Sequence, residues 1–360
     1  MASDDQKIQN KLGEAIQYVL QPPTGSNFLI INRTSDYLAE LAEEAAKELG
    51  LKVKPFNLDR QGPYDNFPPE LKEEIASGKY PRAFGFFTYQ NTVWKRKETP
   101  ARVEFLDKTI KQTSIGYLHA PGIKPDMILN GAGRADFQEM AMEAEKLLGP
   151  LKGVKTVQIT APAGTDIEIE IPSELIWETD CIIKPPDPYG DPGKWGNFIP
   201  GEGCIERRKK VSVAGREVEY PIKLIANGEL VCDVCADSID ELVDPNKPIR
   251  ISFKDGIVTG FSSEDEIFND IYERWKAREK EYKGTDIEKT VMEELGIGIN
   301  KEARKVKEML EAEKMSGTIH AAAGHVRSHD DFIVDKPTVL VTYEDKSKRT
   351  IMENGVLILD

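Results

Sequence analysis

The sequence predicts a mixed α/β protein with two domains, and three observations carry this prediction. Over 1–150, short apolar runs of strand length alternate with helix-like segments, which is typical of a doubly wound parallel sheet. Over 151–360, apolar and polar residues alternate in several segments, as in the half-buried antiparallel strands of an α+β domain. The length of 360 residues also suits two domains of roughly 150 residues each.

In the N-terminal domain, the first strand and the first helix after it carry the clearest signals. Residues 27–32 form a short apolar run, and 32–36 supply side chains that commonly cap helices. Apolar residues recur at helical spacing through 37–49, and Gly50 follows, where a glycine often ends a helix. No glycine-rich phosphate-binding motif follows the first strand, which argues against a nucleotide-binding protein. The further predicted elements are strands at 51–55, 83–88 and 114–119 and a helix over 101–111.

The C-terminal domain is predicted to consist of strands that a long loop interrupts. The segment 185–203 is so rich in Pro and Gly that it excludes regular helix. Capping boxes at 263–266 and 285–288 predict two helix starts, and a charged amphipathic helix is predicted over 301–315. The predicted strands lie at 154–160, 166–171, 220–226, 248–253 and 257–261.

The composition excludes several classes of protein. A net charge of −14 and a pI near 5.0 argue against a nucleic-acid binder, which usually carries a basic patch. No apolar run approaches the roughly 18 residues that span a bilayer, and the acidic, polar start is unlike a signal or transit peptide. Four cysteines are too few for a disulfide framework, and the spacing of Cys232 and Cys235 is interpreted as packed thiols, with a redox or metal role as the alternative. We therefore expect a cytoplasmic protein without a nucleic-acid or membrane partner.

The histidines are concentrated near the C-terminus. Three of the four, His320, His325 and His329, fall within ten residues. Residues i and i+2 of a strand point the same way, so His329 and Asp331 are predicted to be able to share one cation. A solvated cluster that binds no ion is the alternative that these residues leave open.

Two acidic residues join the candidates. Glu202 lies in a glycine-rich loop, where the backbone can approach a ligand closely. Glu294 lies at the end of a helix-like stretch, before a run of alternating glycines. A lone Glu is more often a surface residue than a ligand, and the spacing of these two is too long for a metal motif.

Several short blocks carry a resemblance to a known family. The blocks 195–202, 294–300, 317–320 and 329–332 resemble, in their order and roughly in their spacing, the aminopeptidase T and aminopeptidase S metallopeptidases. The resemblance extends from about residue 25 to residue 340. The further blocks that take part are 99–102, 119–123, 135–136, 160–166 and 248–256.

The resemblance implies a metallo-aminopeptidase, a hydrolase that cleaves N-terminal residues from small peptides with a water activated by two metals. It implies an N-terminal α/β domain, a C-terminal domain that carries the metal site, and a homodimer. A pair of divalent ions (Zn, Co or Mn) is held in this family by two Glu, two His and one Asp. Position by position, these ligands correspond to Glu202, Glu294, His320, His329 and Asp331.

The sequence departs from the family at one catalytic position. The aminopeptidases have a Tyr seven residues after the motif His, whereas this chain has Arg327. We expect Arg327 or His325 to act as the oxyanion donor in place of this Tyr. An altered or lost peptidase activity, with Arg327 as a surface residue, is the alternative.

The same superfamily contains the 2,5-dihydroxypyridine dioxygenases, which bind one ferrous iron with two His and one Asp. In that branch the position of Glu294 is a His, and the positions of Glu202 and His320 are not ligands. Because this chain has all three residues, the resemblance favours the two-metal hydrolase. The alternative is a ring-cleaving dioxygenase with one Fe(II) held by His320, His329 and Asp331.

Overall fold

The computed structural model describes residues 2–33, 37–58, 62–87, 92–236, 241–326 and 328–359. These residues form two compact units. Unit 1 comprises Met1–Ala144, Thr179–Gly201 and Asn300–Arg304, and unit 2 comprises Glu145–Glu178, Glu202–Ile299 and Lys305–Asp360. The domain boundary near residue 150 stays a prediction, and the two later segments of unit 1 come from beyond it.

The helices are concentrated in the first part of the chain. Of the helices that the structure describes, none is long and apolar enough to cross a membrane. In chain order the helical segments are α1 (Asp4–Glu14), the π-helical turn Ala15–Leu20, α2 (Tyr37–Glu48), α3 (Pro69–Ala76), α4 (Thr92–Phe105), the π-helical turn Leu106–Ile110, α5 (Pro125–Leu129), the 3-10 turn Ala132–Arg134, α6 (Phe137–Leu151), the 3-10 turn Glu266–Phe268, α7 (Asn269–Glu281) and α8 (Met309–Ala312).

The strands extend almost to the end of the chain. The first nine are β1 (Asn27–Arg33), β2 (Lys52–Leu58), β3 (Arg82–Phe87), β4 (Gly116–Pro121), β5 (Val154–Thr160), β6 (Asp166–Glu170), β7 (Glu178–Thr179), β8 (Lys194–Asn197) and β9 (Glu202–Ile205). The remainder are β10 (Arg208–Val213), β11 (Arg216–Pro221), β12 (Ile225–Cys232), β13 (Cys235–Ala236), β14 (Glu241–Leu242), β15 (Ile249–Lys254), β16 (Ile257–Ser262), β17 (Val291–Gly298), β18 (Thr318–His325), β19 (Ser328–Asp335), β20 (Thr338–Tyr343), β21 (Lys348–Glu353) and β22 (Val356–Leu357).

Unit 1 contains a parallel sheet with the strand order β2-β1-β3-β4-β8. The chain starts at an inner strand and winds toward both edges, and β1, β3 and β4 are buried along most of their length. Such burial is typical of parallel strands that helices cover on both faces. The predicted doubly wound parallel layer is therefore confirmed. Strand β8 lies within the Pro- and Gly-rich segment that was expected to be a loop or linker.

Unit 2 is built on a large antiparallel sheet, which confirms the predicted antiparallel character of the C-terminal part. Its main strand order is β14-β13-β19-β18-β17-β16-β15-β12-β6-β5-β20-β21-β22, and β9 pairs with β17. Burial alternates along β6 and β15, as the period-two sequence pattern predicts. The inner faces contribute a core of aliphatic side chains that includes Ile169, Leu230, Ile251 and Val339.

One of the predicted C-terminal helices forms nearly where its capping box places it. The carboxylate of Asp265 accepts a hydrogen bond from the amide of Ile267. Helix α7 follows, with Ile271 and Trp275 buried. The capping box at 285–288 instead closes a turn, because the carboxylate of Glu288 accepts from the amide of Gly284 at 2.7 Å.

Two other expectations of helical structure are wrong. Within 301–315 only α8 is helical, because this segment buries side chains on more sides than an amphipathic surface helix does, including those of Met309, Ala312 and Lys314. Glu294, which was expected at the end of a helix-like stretch, lies in β17, a strand whose eight residues are all buried. A short apolar run is compatible with helix and with buried strand, and the partner strands decide between them here.

Candidate metal centre

The five predicted ligands lie on one face of four neighbouring strands. Strands β9, β17, β18 and β19 are antiparallel neighbours in that order. Side chains two residues apart share a face, and residues opposite each other in the register lie side by side. The pairs that define the face are Gly298 with Glu202, Gly296 with His320, Ala322 with both Glu294 and Asp331, and Gly324 with His329.

Three of the ligands form a first group, Glu202, Glu294 and His320, whose ligand atoms all lie within 4.8 Å of one another. Nε2 of His320 is 3.4 Å from Oε2 of Glu202 and 3.3 Å from Oε1 of Glu294. All three side chains are buried. We call this set group A.

The second group, called group B, consists of Glu294, His329 and Asp331, again within 4.8 Å of one another. Nε2 of His329 is 3.6 Å from Oε2 of Glu294 and 3.5 Å from Oδ2 of Asp331. Glu294 therefore belongs to both groups, with one carboxylate oxygen facing His320 and the other facing His329. A carboxylate in this position can bridge two cations.

Small residues make room for these side chains. A Cβ atom added at Gly296 would lie 2.0 Å from Cε1 of His320, so only glycine lets the imidazole lie across β17. A Cβ at Gly324 would lie 1.8 Å from Oε2 of Glu293. The alternating glycines of β17 and the Ala-rich run of β18 thus leave space for the polar cluster.

A further carboxylate, that of Glu293, lies next to the predicted ligand His329. The β17–β18 register shifts between Met292 and Glu294, and such an irregularity re-aims neighbouring side chains. Oε1 of Glu293 lies 3.4 Å from Nδ1 of His329, while Arg208 donates two hydrogen bonds to the same carboxylate at 2.5 and 2.6 Å. Burial alone would raise the pKa of Glu293, but Arg208 and His329 hold it below its usual value. Glu293 is therefore an ionised carboxylate that lies beside Nδ1 of His329.

A third arrangement of possible ligands is less suited to a metal. Glu206, Glu293 and His329 also lie within 4.8 Å of one another. Both oxygens of Glu293 already accept hydrogen bonds from Arg208, and Glu206 is 3.9 Å from Nδ1 of His329. A metal there would compete with a bidentate guanidinium for the same carboxylate.

The electrostatics of groups A and B favour a bound cation. Burial raises the pKa of Glu294 well above its usual value, and the Glu206 carboxylate adds to this. Burial likewise raises the pKa of Asp331, and Glu294 adds to that shift. Oδ1 of Asp331 is buried without a hydrogen-bond partner among the described residues. Carboxylates that repel one another, with imidazole nitrogens between them, have the chemistry of a divalent-metal site, so these residues fit such an ion.

His325 is not brought together with these five residues. It lies in β18 five positions after His320, so its side chain points to the other face of the strand. Its Nδ1 accepts from the amide of Val326 at 2.8 Å, and its Nε2 lies 3.4 Å from the carbonyl of Glu288. The ring packs against the rings of Tyr220 and Tyr282. Arg327 lies outside the described residues, so its role stays a prediction.

The paired cysteines behave as packed thiols. Cys232 and Cys235 are buried and neither forms a disulfide, and the thiol of Cys232 donates to the carbonyl of Cys235 at 3.2 Å. Burial raises the pKa of Cys232 to about 12. A thiol that remains protonated near neutral pH is a poor nucleophile and a poor metal ligand.

Sequence reasoning missed the cationic partners of the carboxylates around the predicted ligands. Glu293 is a candidate from the sequence as the carboxylate next to Glu294, but its pairing with Arg208 joins two residues that are 85 positions apart. The buried Lys314 contacts Glu202 from a segment that reads as a solvated helix. No local pattern marks either pairing.

The comparisons with known proteins concern the fold. No protein family model and no curated protein sequence matches the chain. Wild-type AmpT from Thermus thermophilus has a similar structure, with a TM-score of 0.63 and 12% identity over 99% of this chain and 100% of that one. The 2,5-dihydroxypyridine dioxygenase from Pseudomonas putida KT2440 is also similar, with a TM-score of 0.60 and 14% identity over 99% and 98% of the two chains. At these identities the likeness shows a shared fold and no particular activity.

The space at Gly296 can be tested by substitution. Gly296→Ala places a methyl group against the His320 ring, and such overpacking costs roughly 1–3 kcal/mol. We expect lower stability in urea denaturation and weaker Zn²⁺ binding in calorimetry. Gly260→Ala in β16 is the matched control, because its nearest neighbour would be the Ser252 hydroxyl at 3.3 Å. Wild-type zinc affinity in Gly296→Ala would contradict the geometry.

The position of His325 predicts a pH dependence of stability. Burial lowers the pKa of His325 below its usual value, and the charges of Arg278 and Arg208 add to this. The unfolded chain therefore gains a proton at about pH 6.5 while the folded protein does not, so stability falls as the pH drops below that value. We expect His325→Gln to lose less unfolding free energy than wild type between pH 7.5 and 5.5. A pH profile of His325→Gln that equals that of wild type would show that burial does not lower the pKa of His325.

Proposed function

We propose that this protein is a metal-dependent aminopeptidase-like hydrolase that cleaves N-terminal residues from peptides, with two divalent ions held by groups A and B. The observation that carries the proposal is the position of Glu294, whose two carboxylate oxygens face two separate sets of ligands. A site for one ion does not need this arrangement. The shared fold with AmpT supports the proposal at the level of architecture.

The donor set suits hydrolytic chemistry. The three carboxylates are negatively charged and the two imidazoles are neutral. The positive charge of two dications would slightly exceed the negative charge of the carboxylates. Ions such as Zn²⁺, Co²⁺ or Mn²⁺, when bound, supply an acidified water and polarise the scissile carbonyl.

The protein's own groups would orient this centre. Glu294 belongs to both groups, and Oε1 of Glu293 lies 3.4 Å from Nδ1 of His329, while Nε2 of His329 faces the other predicted ligands. A carboxylate behind a ligating histidine fixes its tautomer and raises its basicity. Arg208 holds Glu293 in place and offsets its charge.

A substrate with a free α-amine suits this face. The Glu206 carboxylate is part-exposed and lies beside His329. A carboxylate in this position can accept hydrogen bonds from an ammonium group. The homodimer that the family resemblance implies and the cytoplasmic location that the composition predicts belong to the same proposal.

The competing function is a mononuclear Fe(II) ring-cleaving dioxygenase. The fold is also that of a 2,5-dihydroxypyridine dioxygenase, which keeps this function open. Such sites use two His and one carboxylate on one iron. Among the residues that the structure describes, His320 and His329 fall in different groups, and group B has two carboxylates and one His. This ligand pattern favours the hydrolase.

The test compares metals and substrates on one preparation. After removal of metal by a chelator, we expect no release of free amino acid from short unblocked peptides. Addition of Zn²⁺, Co²⁺ or Mn²⁺ should restore release, whereas N-acetylated versions of the same peptides should remain uncut.

Glu293→Gln should lower metal affinity or turnover roughly 10- to 100-fold, because it removes the negative charge beside Nδ1 of His329.

A different metal and substrate requirement would contradict the hydrolase function. If no divalent ion supports peptide cleavage, while ferrous iron with oxygen supports ring opening of a dihydroxypyridine, the dioxygenase function replaces the hydrolase.

A further inference from the structure

Lys314 is a buried lysine that touches the proposed metal site. Its side chain is fully buried, and its ammonium pairs with Oε1 of Glu202 and, at 2.9 Å, with Oε1 of Glu313. Gly298 of β17 lets this segment approach, since a Cβ there would lie 2.1 Å from the carbonyl oxygen of Met315. A lysine is almost never fully buried unless it is paired, so its position is defined by these carboxylates.

The two ligand groups therefore differ in charge. In group A, the Lys314 ammonium pairs with Oε1 of Glu202, whereas Oε2 of Glu202 faces Nε2 of His320. In group B, the ion pairs of Glu294 and Asp331 within the described residues involve histidines and no lysine or arginine. Group A therefore contains a lysine ammonium in direct contact with a predicted ligand, and group B, among the described residues, does not.

We propose that Lys314 makes the two metal positions unequal, so that group B binds the first ion tightly and group A binds the second ion more weakly. This inference rests on the proposed two-metal function and adds an order of filling to it. At low metal supply the protein would hold one ion, at His329 and Asp331. The second ion, and with it the bridged centre, would form only as the metal concentration rises.

The physical reason is the repulsion between like charges at short range. An ammonium and a dication that share the Glu202 carboxylate repel each other strongly in a buried site, where water screens little. The ammonium also withdraws part of the negative charge that Glu202 offers to an ion. Glu313 moderates both effects, because it pairs with the same ammonium.

Two substitutions should shift the second affinity in opposite directions. Lys314→Met removes the positive charge with little change in side-chain volume. Glu313→Gln leaves the ammonium less compensated. We expect Lys314→Met to tighten binding of the second Zn²⁺ by about tenfold or more, and Glu313→Gln to weaken it. Lys314→Arg keeps the charge and should bind the second ion as weakly as wild type does. General loss of structure would weaken both ions in every variant, so this pattern is specific.

The experiment measures binding without any substrate. Metal-free protein is titrated with Zn²⁺ in a calorimeter and with Co²⁺ while the visible absorption is recorded. His329→Ala should remove the tight ion, whereas His320→Ala should remove only the weak one. If Lys314→Met does not fold, the Glu313→Gln and His320→Ala variants decide the outcome.

The possible failures are distinguishable. Equal affinities for two ions in wild type, or an unchanged second affinity in Lys314→Met, would overturn the role of Lys314 and leave the two-metal hydrolase intact. Loss of the tight ion in His320→Ala rather than in His329→Ala would reverse the order of filling. If neither wild type nor Lys314→Met binds any divalent ion, the proposed function itself is overturned.

Discussion

The burial of several carboxylates on one face of a β-sheet is the constraint on which this molecule depends. Glu202, Glu294 and Asp331 lie close together in a region with little solvent. An isolated buried charge is very unfavourable, and neighbouring like charges make it worse. Two cationic side chains at the edge of the cluster offset this negative charge. Arg208 pairs with Glu293, and Lys314 pairs with Glu202. Among the described residues, the ion pairs of Glu294 at the centre of the cluster are with imidazoles, so a divalent ion bound there would stabilise the folded chain.

The regularity of the sheet turns this constraint into a defined site. Because side chains alternate along each strand, four adjacent strands present their ligands in rows. Glycine and alanine at the positions between the ligands, such as Gly296 and Ala322, keep the rows from filling with apolar atoms. Proteins with a similar fold include both AmpT and a 2,5-dihydroxypyridine dioxygenase, so the fold by itself does not specify one activity. The activity therefore has to be argued from the ligands and their neighbours.

The sequence is informative about this protein where the signal is local. Alternation of period two located β5, β6 and β15, and buried apolar runs located β1, β3 and β4. The five ligand candidates came from ordered short blocks of the sequence and fall on one face of the sheet. The long-range pairings could not be found: Glu293 with Arg208 and Glu202 with Lys314 join strands and turns far apart in sequence. The prediction of a helix over 301–315 was wrong because the charges of this segment resemble those of a solvated helix, whereas tertiary packing buries one of its lysines.

We propose that Glu294 bridges two ions, and anomalous diffraction is the most direct measurement of this arrangement. Crystals grown with excess Zn²⁺ or Co²⁺ would be measured at the absorption edge of the metal. We expect two anomalous peaks on either side of the Glu294 carboxylate, one beside His320 and Glu202 and one beside His329 and Asp331. A lone peak shared by His320, His329 and Asp331, or no peak on this face of the sheet, would contradict it.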